Sequence, residues 1–386
     1  MTNTITDTEK SKDLSRLLDI SQTMIEKTDL SSLLGLIMEE ATKTMNADRS
    51  TLYLVDRERN ELVSFIAQQS GIKEIRLPLG MGIAGHVAKT GSLVNIEDAY
   101  KNPLFNKETD IQTGYITRTV LCVPMKNREG ESIGVLQVLN KKNGLFTEYD
   151  EWLFKTYAAY AATAIENARL HEEREKTFLS AIKALSAAID RRDPVTAGHS
   201  ERVARLSVDI GKYVGLTKNE LKMLNYAATL HDVGKIGVRD NVLLKPDNLT
   251  TDERNEMNQH SQYTKEILEE IYFSKEYKNI PTIAAMHHER LDGTGYPHGL
   301  KAEQLNTFGH IIAVADIFDA LMSFDRPYKK ARSLPETLEI IRDEAEKNHL
   351  ATNIVKIFIE KKVYCNTFPE IENPDYRHKR LTIDRI

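Results

Sequence analysis

The apolar positions of the amino-terminal part of the chain change from helical to alternating spacing. Steps of three and four over residues 10–27 predict a helix with one narrow apolar stripe at Leu14, Leu17, Leu18, Ser21 and Ile25. A second helix is predicted from about Ser31, and alternation then predicts strands over 51–55, 62–66, 92–96, 120–124 and 133–139. Short strands with helices at both ends predict an α+β domain with a central antiparallel sheet.

Residues 148–190 contain neither proline nor glycine, and helical spacing continues throughout them. One long helix is predicted, with a seam at Leu153, Tyr157, Tyr160, Ala164, Asn167, Phe178, Ile182, Leu185 and Ile189. The charged run 172–176 marks the predicted domain boundary. The seam suits a parallel homodimer, which would also use the N-terminal helix. We expect this connector to transmit rotation or register shifts, with a passive spacer as the alternative.

Beyond Pro194, histidines and aspartates stand where the helical period requires apolar residues. His199 lies four residues before Val203 on the apolar face of a helix predicted over 196–214. A capping box at 217–220 opens the next helix, whose face ends in His231 and Lys235. Three later helices, one opened by a capping box at 250–253, place further polar residues inward: His260, His287, His288 and Asp316.

One histidine on an apolar face is usually a hydrogen-bonded core residue. Five such histidines together with Asp232 and Asp316 are different, because each buried titratable group without a partner would cost several kcal/mol. Bound cations offset that cost. Imidazole and carboxylate ligands without cysteine favour iron, manganese, zinc, cobalt or nickel.

Composition narrows the class of protein further. A chain of 386 residues predicts two domains and a connector, and a formal net charge of −5 does not indicate a nucleic-acid polymer as partner. No apolar run is long enough to span a bilayer, and the polar residues 1–12 do not resemble a signal sequence, so we expect a cytoplasmic protein. Cys122 and Cys365 are expected to be isolated thiols.

The segment from about Leu30 to Leu170 resembles a GAF domain. The glycine-rich run 79–86 is interpreted as a tight turn into a short helix rather than a dinucleotide loop. Asn140-Lys141, Phe146, Asp150 and Glu151 resemble the signature of cyclic-nucleotide-binding GAF domains, in which these residues mostly shape the fold around the pocket. The resemblance implies a sensor for a cyclic nucleotide or another small ligand. The alternative is a domain that binds nothing and only dimerises.

Four motifs in the second half, within about 183–342, resemble the HD-GYP subfamily of the HD phosphohydrolases. They are His231-Asp232-Val-Gly-Lys235, the run 287–297 that contains Gly-Tyr-Pro, Val314-Ala-Asp-Ile-Phe-Asp319, and Asp325-Arg-Pro-Tyr328. The resemblance implies an all-α domain that hydrolyses cyclic di-GMP to linear pGpG, and it leaves open whether hydrolysis continues to GMP. Two alternatives remain, a non-catalytic receptor for cyclic di-GMP or a protein partner, and a hydrolase of a related cyclic dinucleotide.

The resemblance also implies roles for individual residues. One metal ion would be held by His199, His231, Asp232 and Asp316, and the other by Asp232, His260, His287 and His288. Lys235, with a catalytic role beside Asp232, would also contact phosphate, as would Arg326, and Tyr296 would lie in the substrate loop. Iron is expected first, with manganese or zinc as alternatives.

Two departures from the family pattern bear on these roles. Some members place a glutamate, a ligand to a third metal, where this chain has Val195, so a dinuclear centre is expected. The run before Arg326 is one residue longer than usual. Glu289 and Arg290 either orient imidazoles or form a solvated pair. The predicted boundaries are an N-terminal helix over 1–29, the GAF domain over 30–170, the connecting helix over 148–190, the HD-GYP domain over 178–372 and a polar tail over 373–386.

Overall fold

The computed structural model describes residues 7–27, 29–65, 75–107, 110–111, 114–193, 198–322 and 332–368. The chain divides into two compact units, Met1–Lys176 and Thr177–Ile386, which are described separately. Among the described residues, no helix is both long enough and apolar enough to cross a membrane. Val195, Arg326 and the tail over 373–386 lie outside the described residues.

The first unit has an antiparallel sheet with the strand order β3-β2-β1-β6-β5-β4. The predicted α+β class is confirmed, and so are the five predicted strands. The sixth, β3, was not predicted, because none of its three residues is buried and the last is Pro78, so it carries no apolar strand signal. The elements are α1 (Asp7–Glu26), α2 (Leu30–Thr44), β1 (Ala47–Asp56), β2 (Glu61–Phe65), β3 (Arg76–Pro78), α3 (Gly82–Thr90), β4 (Val94–Ile96), β5 (Val120–Lys126), β6 (Ser132–Lys141) and α4 (Glu148–Arg192).

The sheet separates two apolar cores, which explains the alternating pattern of its strands. On β1, Leu52 and Leu54 join the core formed with α1, α2 and α4. The intervening Tyr53 and Val55 pack against the other core, which includes α3. Successive side chains of a strand point to opposite faces, so Leu52 and Leu54 are buried in one core and Tyr53 and Val55 are partly buried against the other.

Helix α1 has two apolar faces where one stripe was predicted. Leu17 is buried in the core of its own unit, together with Ile20 and Met24. Leu14, Leu18 and Ile25 are exposed, with 46%, 54% and 63% of their surface accessible. The prediction merged the two faces because Leu17 and Leu18 are adjacent in the sequence.

The motif residues between β6 and α4 hold these elements together. The Lys141 ammonium lies 2.6 Å from a carboxylate oxygen of Asp150, and both side chains are largely buried. Asn140 accepts the backbone N–H of Arg118, and the Asn95 amide donates to the carbonyl of Phe146. The described contacts of these residues are internal to the fold.

Helix α4 is continuous over 45 residues, as the absence of proline and glycine predicted. Its seam is used within the chain. Leu153, Tyr157 and Ala164 are buried in the sheet core, while Ile182 and Ile189 are buried in the core of the second unit. Most of the predicted dimer seam is therefore already covered.

The described residues of the second unit form helices, short 3₁₀ turns and one isolated β-bridge between Asp292 and Lys301. The predicted capping boxes at Thr217 and Thr250 are confirmed. One apolar core joins the C-terminal part of α4 to most of these helices. They are α5 (His199–Val214), α6 (Lys218–Leu230), α7 (Asp240–Leu243), α8 (Thr251–Glu269), α9 (Ile280–Ala285), α10 (Thr307–Met322), α11 (Leu334–Glu346) and α12 (Thr352–Glu360).

Candidate functional site

The seven residues predicted as metal ligands come together in one cluster of the second unit. Three overlapping groups place their ligand atoms within 4.8 Å of one another: His199 with His231 and Asp316, His231 with Asp232 and His287, and His260 with His287 and His288. Six of these seven residues are buried, and His288 is partly exposed. Residues far apart in the sequence thus form a single polar site inside an apolar core.

Turns present four of these side chains, where continuous helical stripes were expected. Helix α6 ends at Leu230, so His231 follows the helix and Asp232 precedes a 3₁₀ turn over Val233–Gly237. Helix α9 is only six residues long, and His287 and His288 lie in the turn after it. The α-helical period, which would separate neighbouring side chains by about 100°, ends before these residues, so each adjacent pair can face one site.

Three imidazoles are oriented by the same local hydrogen bond. The Nδ1 atoms of His231, His260 and His287 each lie 2.7 Å from the carbonyl oxygen three residues earlier in the chain. A carbonyl can only accept, so each Nδ1 carries the proton and each Nε2 presents a lone pair to the cluster.

Among the described residues, the Ser261 hydroxyl is a proton donor near these inward-facing nitrogens, at 3.4 Å from His260 Nε2. His231 Nε2 is buried and has no hydrogen-bond partner among the described residues. His260 Nε2 and His287 Nε2 lie 3.2 Å apart. Buried lone pairs that face one another are stabilised by a cation between them, so the donor set fits divalent transition metals.

The carboxylate of Asp232 faces two groups of imidazoles with its two oxygens. Oδ2 lies 3.7 Å from His199 Nε2 and 3.5 Å from His231 Nε2. Oδ1 lies 3.4 Å from His260 Nε2 and 3.9 Å from His287 Nε2. This arrangement is that of a carboxylate able to bridge two cations.

Asp316 and His288 complete the two groups. Asp316 Oδ1 lies 3.2 Å from His199 Nε2, and its Oδ2 lies 3.9 Å from His288 Nδ1. His260 and His287 stand close to His288, with ring centroids at 5.1 and 4.0 Å.

Burial keeps the imidazoles of the second group neutral. It lowers the pKa of His260, of His287 and of His288, and neighbouring imidazoles lower the pKa of the latter two further. Burial alone would raise the pKa of Asp232, but the Lys235 ammonium and the imidazoles hold that pKa well below its usual range. The second group therefore combines neutral nitrogen donors with the ionised carboxylate of Asp232, as metal ligation requires.

Asp319 and Arg202 belong to the site, although the sequence assigned them no role. Asp319 lies 2.7 Å from His199 Nδ1 and accepts two hydrogen bonds from the Arg202 guanidinium, at 2.6 and 3.0 Å. Burial would lower the pKa of His199, but Asp316 and Asp319 raise it to about 9. Asp319 lies one helical turn beyond Asp316 on α10, and this spacing was the available signal.

Lys235 belongs to the 3₁₀ turn, and it does not continue the face of α6 as was expected. Its ammonium lies 2.8 Å from Asp232 Oδ2 and 3.4 Å from a carboxylate oxygen of Asp193. Burial lowers the pKa of Lys235, but Asp232 and Asp193 raise it by a larger amount. The ammonium is thus held charged at the edge of the cluster.

The loop after His288 folds back over the cluster. The Tyr296 ring lies 4.8 Å from the His288 ring, centroid to centroid. Gly295 is needed for contact with the chain itself, because an added Cβ would lie 2.6 Å from the His288 carbonyl oxygen.

Glu289 and Arg290 take neither of the two roles considered for them. The buried Glu289 carboxylate accepts the backbone N–H groups of His298 and Leu300, at 2.7 and 2.9 Å, and so closes the loop. Arg290 lies 3.8 Å from Glu344 on α11.

Comparisons with known proteins agree with this architecture. A model of the GAF domain matches residues 29–165, and a model of the HD domain matches residues 183–354. The cyclic di-GMP phosphodiesterase response regulator RpfG of Xanthomonas campestris pv. campestris is 42% identical over 170 residues, 43% of this chain and 43% of that protein. The 3'3'-cGAMP-specific phosphodiesterase 3 of Vibrio cholerae serotype O1 is 38% identical over 177 residues, 46% of this chain and 38% of that protein.

Among solved structures, the GAF domain of the Acinetobacter phosphoenolpyruvate-protein phosphotransferase is 25% identical, with a TM-score of 0.36, and covers 42% of this chain and 98% of that one. The chain spans about two fifths of the length of the two phosphodiesterases named above. The domain matches identify a GAF domain over residues 29–165, followed by an HD domain over residues 183–354 that contains the cluster.

Proposed function

We propose that the chain is a metal-dependent phosphodiesterase that hydrolyses cyclic di-GMP to linear pGpG, with further hydrolysis to GMP as a second step left open for the test. The observation that carries the proposal is the bridging position of Asp232 between two groups of inward-facing imidazole nitrogens. A receptor without turnover would not need this donor set. The Xanthomonas relative, named a cyclic di-GMP phosphodiesterase, supports the same activity.

The proposed cofactor is a pair of divalent transition-metal ions, with iron expected first and manganese or zinc as alternatives. His199, His231 and Asp316 would hold one ion, His260, His287 and His288 the other, and Asp232 both. Two such ions acidify water and neutralise the charge that develops on phosphate oxygens.

The chain's own residues then have separate tasks. The Lys235 ammonium is proposed to contact a phosphate oxygen from the edge of the cluster, and Asp193 keeps it oriented. Tyr296 lies beside His288 at the loop and is proposed to contact the substrate. Arg326, outside the described residues, is proposed as a second phosphate contact on the family resemblance.

The test is hydrolysis by the full chain loaded separately with iron, manganese and zinc. Cyclic di-GMP is incubated with each form, and the products are resolved by chromatography. We expect linear pGpG, whether or not GMP follows, and no product from Asp232→Ala. His171→Ala, which changes an exposed histidine of α4, serves as the control and should retain full activity. If no linear product appears with any of the three metals, the proposed phosphodiesterase activity is wrong.

A second candidate substrate is 3'3'-cGAMP, because the Vibrio relative is named as specific for it. Both cyclic dinucleotides present the same phosphodiester to the cluster and differ in one base. The ratio of their kcat/KM values, measured with the same metal form, decides between them. Binding of either one without turnover would support the receptor alternative.

The GAF domain is proposed to regulate this activity by binding a cyclic nucleotide or another small ligand. Helix α4 supports the proposal, since it begins in the first unit and continues into the second without a break. The rate of the full chain should change when cyclic nucleotides are added. An unchanged rate over the accessible concentrations would favour a domain that only dimerises.

The exposed face of α1 is the proposed contact with a second copy of the chain. Leu14, Leu18 and Ile25 recur at the spacing of a coiled-coil seam and are accessible. Leu18→Glu should convert a dimer to a monomer in analytical ultracentrifugation, and Lys12→Glu, at an exposed polar position of the same helix, should not. The buried thiol of Cys122, which forms no disulfide, fits the proposed cytoplasmic location.

A further inference from the structure

The guanidinium of Arg192, at the end of α4, donates hydrogen bonds to the turn that carries Lys235. Nη1 donates to the carbonyls of Lys235 and Ile236, at 2.9 and 2.6 Å, and Nη2 donates to that of Val238 at 2.6 Å. Nε and Nη2 also donate to the Asp240 carboxylate, at 3.2 and 2.7 Å. The last carbonyls of a helical turn need such outside donors. The Lys235 carbonyl also accepts the backbone N–H of Val238, at 3.1 Å.

The opposite side of the same turn is fixed by α8. Gly234 donates its backbone N–H to Thr264 Oγ1 at 2.9 Å, and that hydroxyl donates to the carbonyl of His231 at 2.9 Å. A Cβ on Gly234 would lie 1.9 Å from the carbonyl oxygen of His260. The turn is therefore clamped between the helix that carries His260 and the end of α4.

The neighbours of Arg192 on α4 contact the site as well. Asp193 shares the Lys235 ammonium with Asp232. Asp190 accepts the backbone N–H of Gly198 at 3.2 Å and lies 3.2 Å from the hydroxyl of Ser200, the two residues that flank His199. One helical turn of α4 thus reaches both the His199 segment and the Asp232–Lys235 segment.

We propose that Arg192 is a positioning residue, which sets the place of Lys235 beside Asp232 by holding the backbone of the 3₁₀ turn. The inference rests on the proposed phosphodiesterase function for its catalytic consequence. Lysine cannot replace arginine fully here, since one ammonium lacks the planar fork that reaches three carbonyls and a carboxylate at once. Because α4 begins in the first unit, Arg192 is a point at which this helix acts on the proposed active site.

The first arm of the test measures hydrogen exchange in the full chain and needs no activity. Arg192→Ala should raise amide exchange in peptides that cover residues 233–238, and Arg192→Lys should raise it less. Arg191→Ala removes an exposed arginine from the same helical turn and should leave exchange unchanged. Equal exchange in Arg192→Ala and Arg191→Ala would overturn the inference.

The second arm measures kcat, KM and metal content of the same proteins. Arg192→Ala should lower kcat by about ten-fold or more, because displacement of a catalytic group costs rate steeply. Metal content should stay unchanged, and Arg192→Lys should recover part of the rate. Raised exchange with an unchanged kcat would show that the turn's position does not matter for the reaction. If the wild type hydrolyses no cyclic dinucleotide, the proposed function fails, while the exchange arm still decides whether Arg192 holds the turn.

Discussion

At the residue scale, the site depends on which atom of each side chain faces inward. His231, His260 and His287 all donate Nδ1–H to the carbonyl of the preceding turn. This hydrogen bond is local and needs no contact with a distant element. It orients each ring so that Nε2 faces the cluster. Asp232 differs from the imidazoles because its two oxygens serve both groups.

Asp232 faces both groups of imidazoles, whereas His199 and His260 each face one. Variants of these residues should therefore bind different numbers of metal ions. Asp232→Ala should lose both of about two bound ions, since it removes a ligand common to both sites. His199→Ala and His260→Ala should each retain about one ion, because each residue faces only one group. Metal content after dialysis against a weak chelator is measured by mass spectrometry, and circular dichroism checks that helix content is preserved. Two ions in Asp232→Ala would contradict the bridging role.

Asp319 should affect metal binding without being a ligand. Asp319→Asn keeps the shape of the side chain but removes the charge that holds His199 and Arg202. We expect metal affinity to fall by about 10–100-fold, as when an outer partner of a ligating histidine is lost. The measurement is competition with a chromophoric chelator. Glu201→Gln, an exposed acidic residue on α5, is the control and should leave the affinity unchanged.

At the scale of elements, turns between helices decide the geometry of the site. The loop over residues 289–301 is closed by Glu289 and packed by Gly295 against the backbone of residues 288–290. These contacts place Tyr296 beside His288. The loop is thus a structural extension of the turn that carries the paired histidines.

Gly295→Ala should displace this loop. The added Cβ would lie 2.4 Å from the backbone nitrogen of Arg290, so the free energy of unfolding should fall by about 1–3 kcal/mol. We expect KM for the cyclic dinucleotide to rise as Tyr296 moves, with metal content unchanged. Gly35→Ala is the matched control, because its Cβ would meet nothing within 4 Å in α2, and it should be neutral or slightly stabilising. If the two variants have equal KM values, Tyr296 does not contribute to substrate binding.

At the scale of the whole molecule, α4 is the covalent path between the sensor fold and the proposed active site. Its first part is buried in the sheet core, and its last turn contacts the segments that carry His199 and Lys235. The charged run 172–176 between these parts belongs to the same helix. Changes in helical phase are therefore the natural signal for this connector to carry.

Insertions in the charged run test that idea. Five added residues rotate one part of α4 against the other by about 140°, whereas seven rotate it by only about 20°. We expect the five-residue insertion to change the basal hydrolysis rate and the seven-residue insertion to retain it. Both proteins should show the same thermal stability and metal content. Equal rates in both would identify α4 as a passive spacer.

The sequence by itself determined the two fold classes, the long helix and the identity of the clustered residues. Periodicity is local, and it records which side chains are buried, so His199, His260 and Asp316 stood out as polar groups at apolar positions. The strand β3 was not predicted because its three residues include no buried side chain and end in Pro78. The prediction of one apolar stripe on α1 was wrong. Periodicity groups Leu17, which is buried, with Leu14, Leu18 and Ile25, which are exposed, because the two faces are adjacent.

Only the tertiary structure decided how the polar residues share the site. Three contacts join residues from separate elements. Asp232 faces both groups of imidazoles, Asp319 contacts His199, and Arg192 donates hydrogen bonds to the 3₁₀ turn. Such contacts depend on where helices end and how they cross, and they leave no periodic trace in the chain. The sequence therefore indicates which residues are buried. The direction of each ligand atom is set by long-range packing and by hydrogen bonds to the backbone.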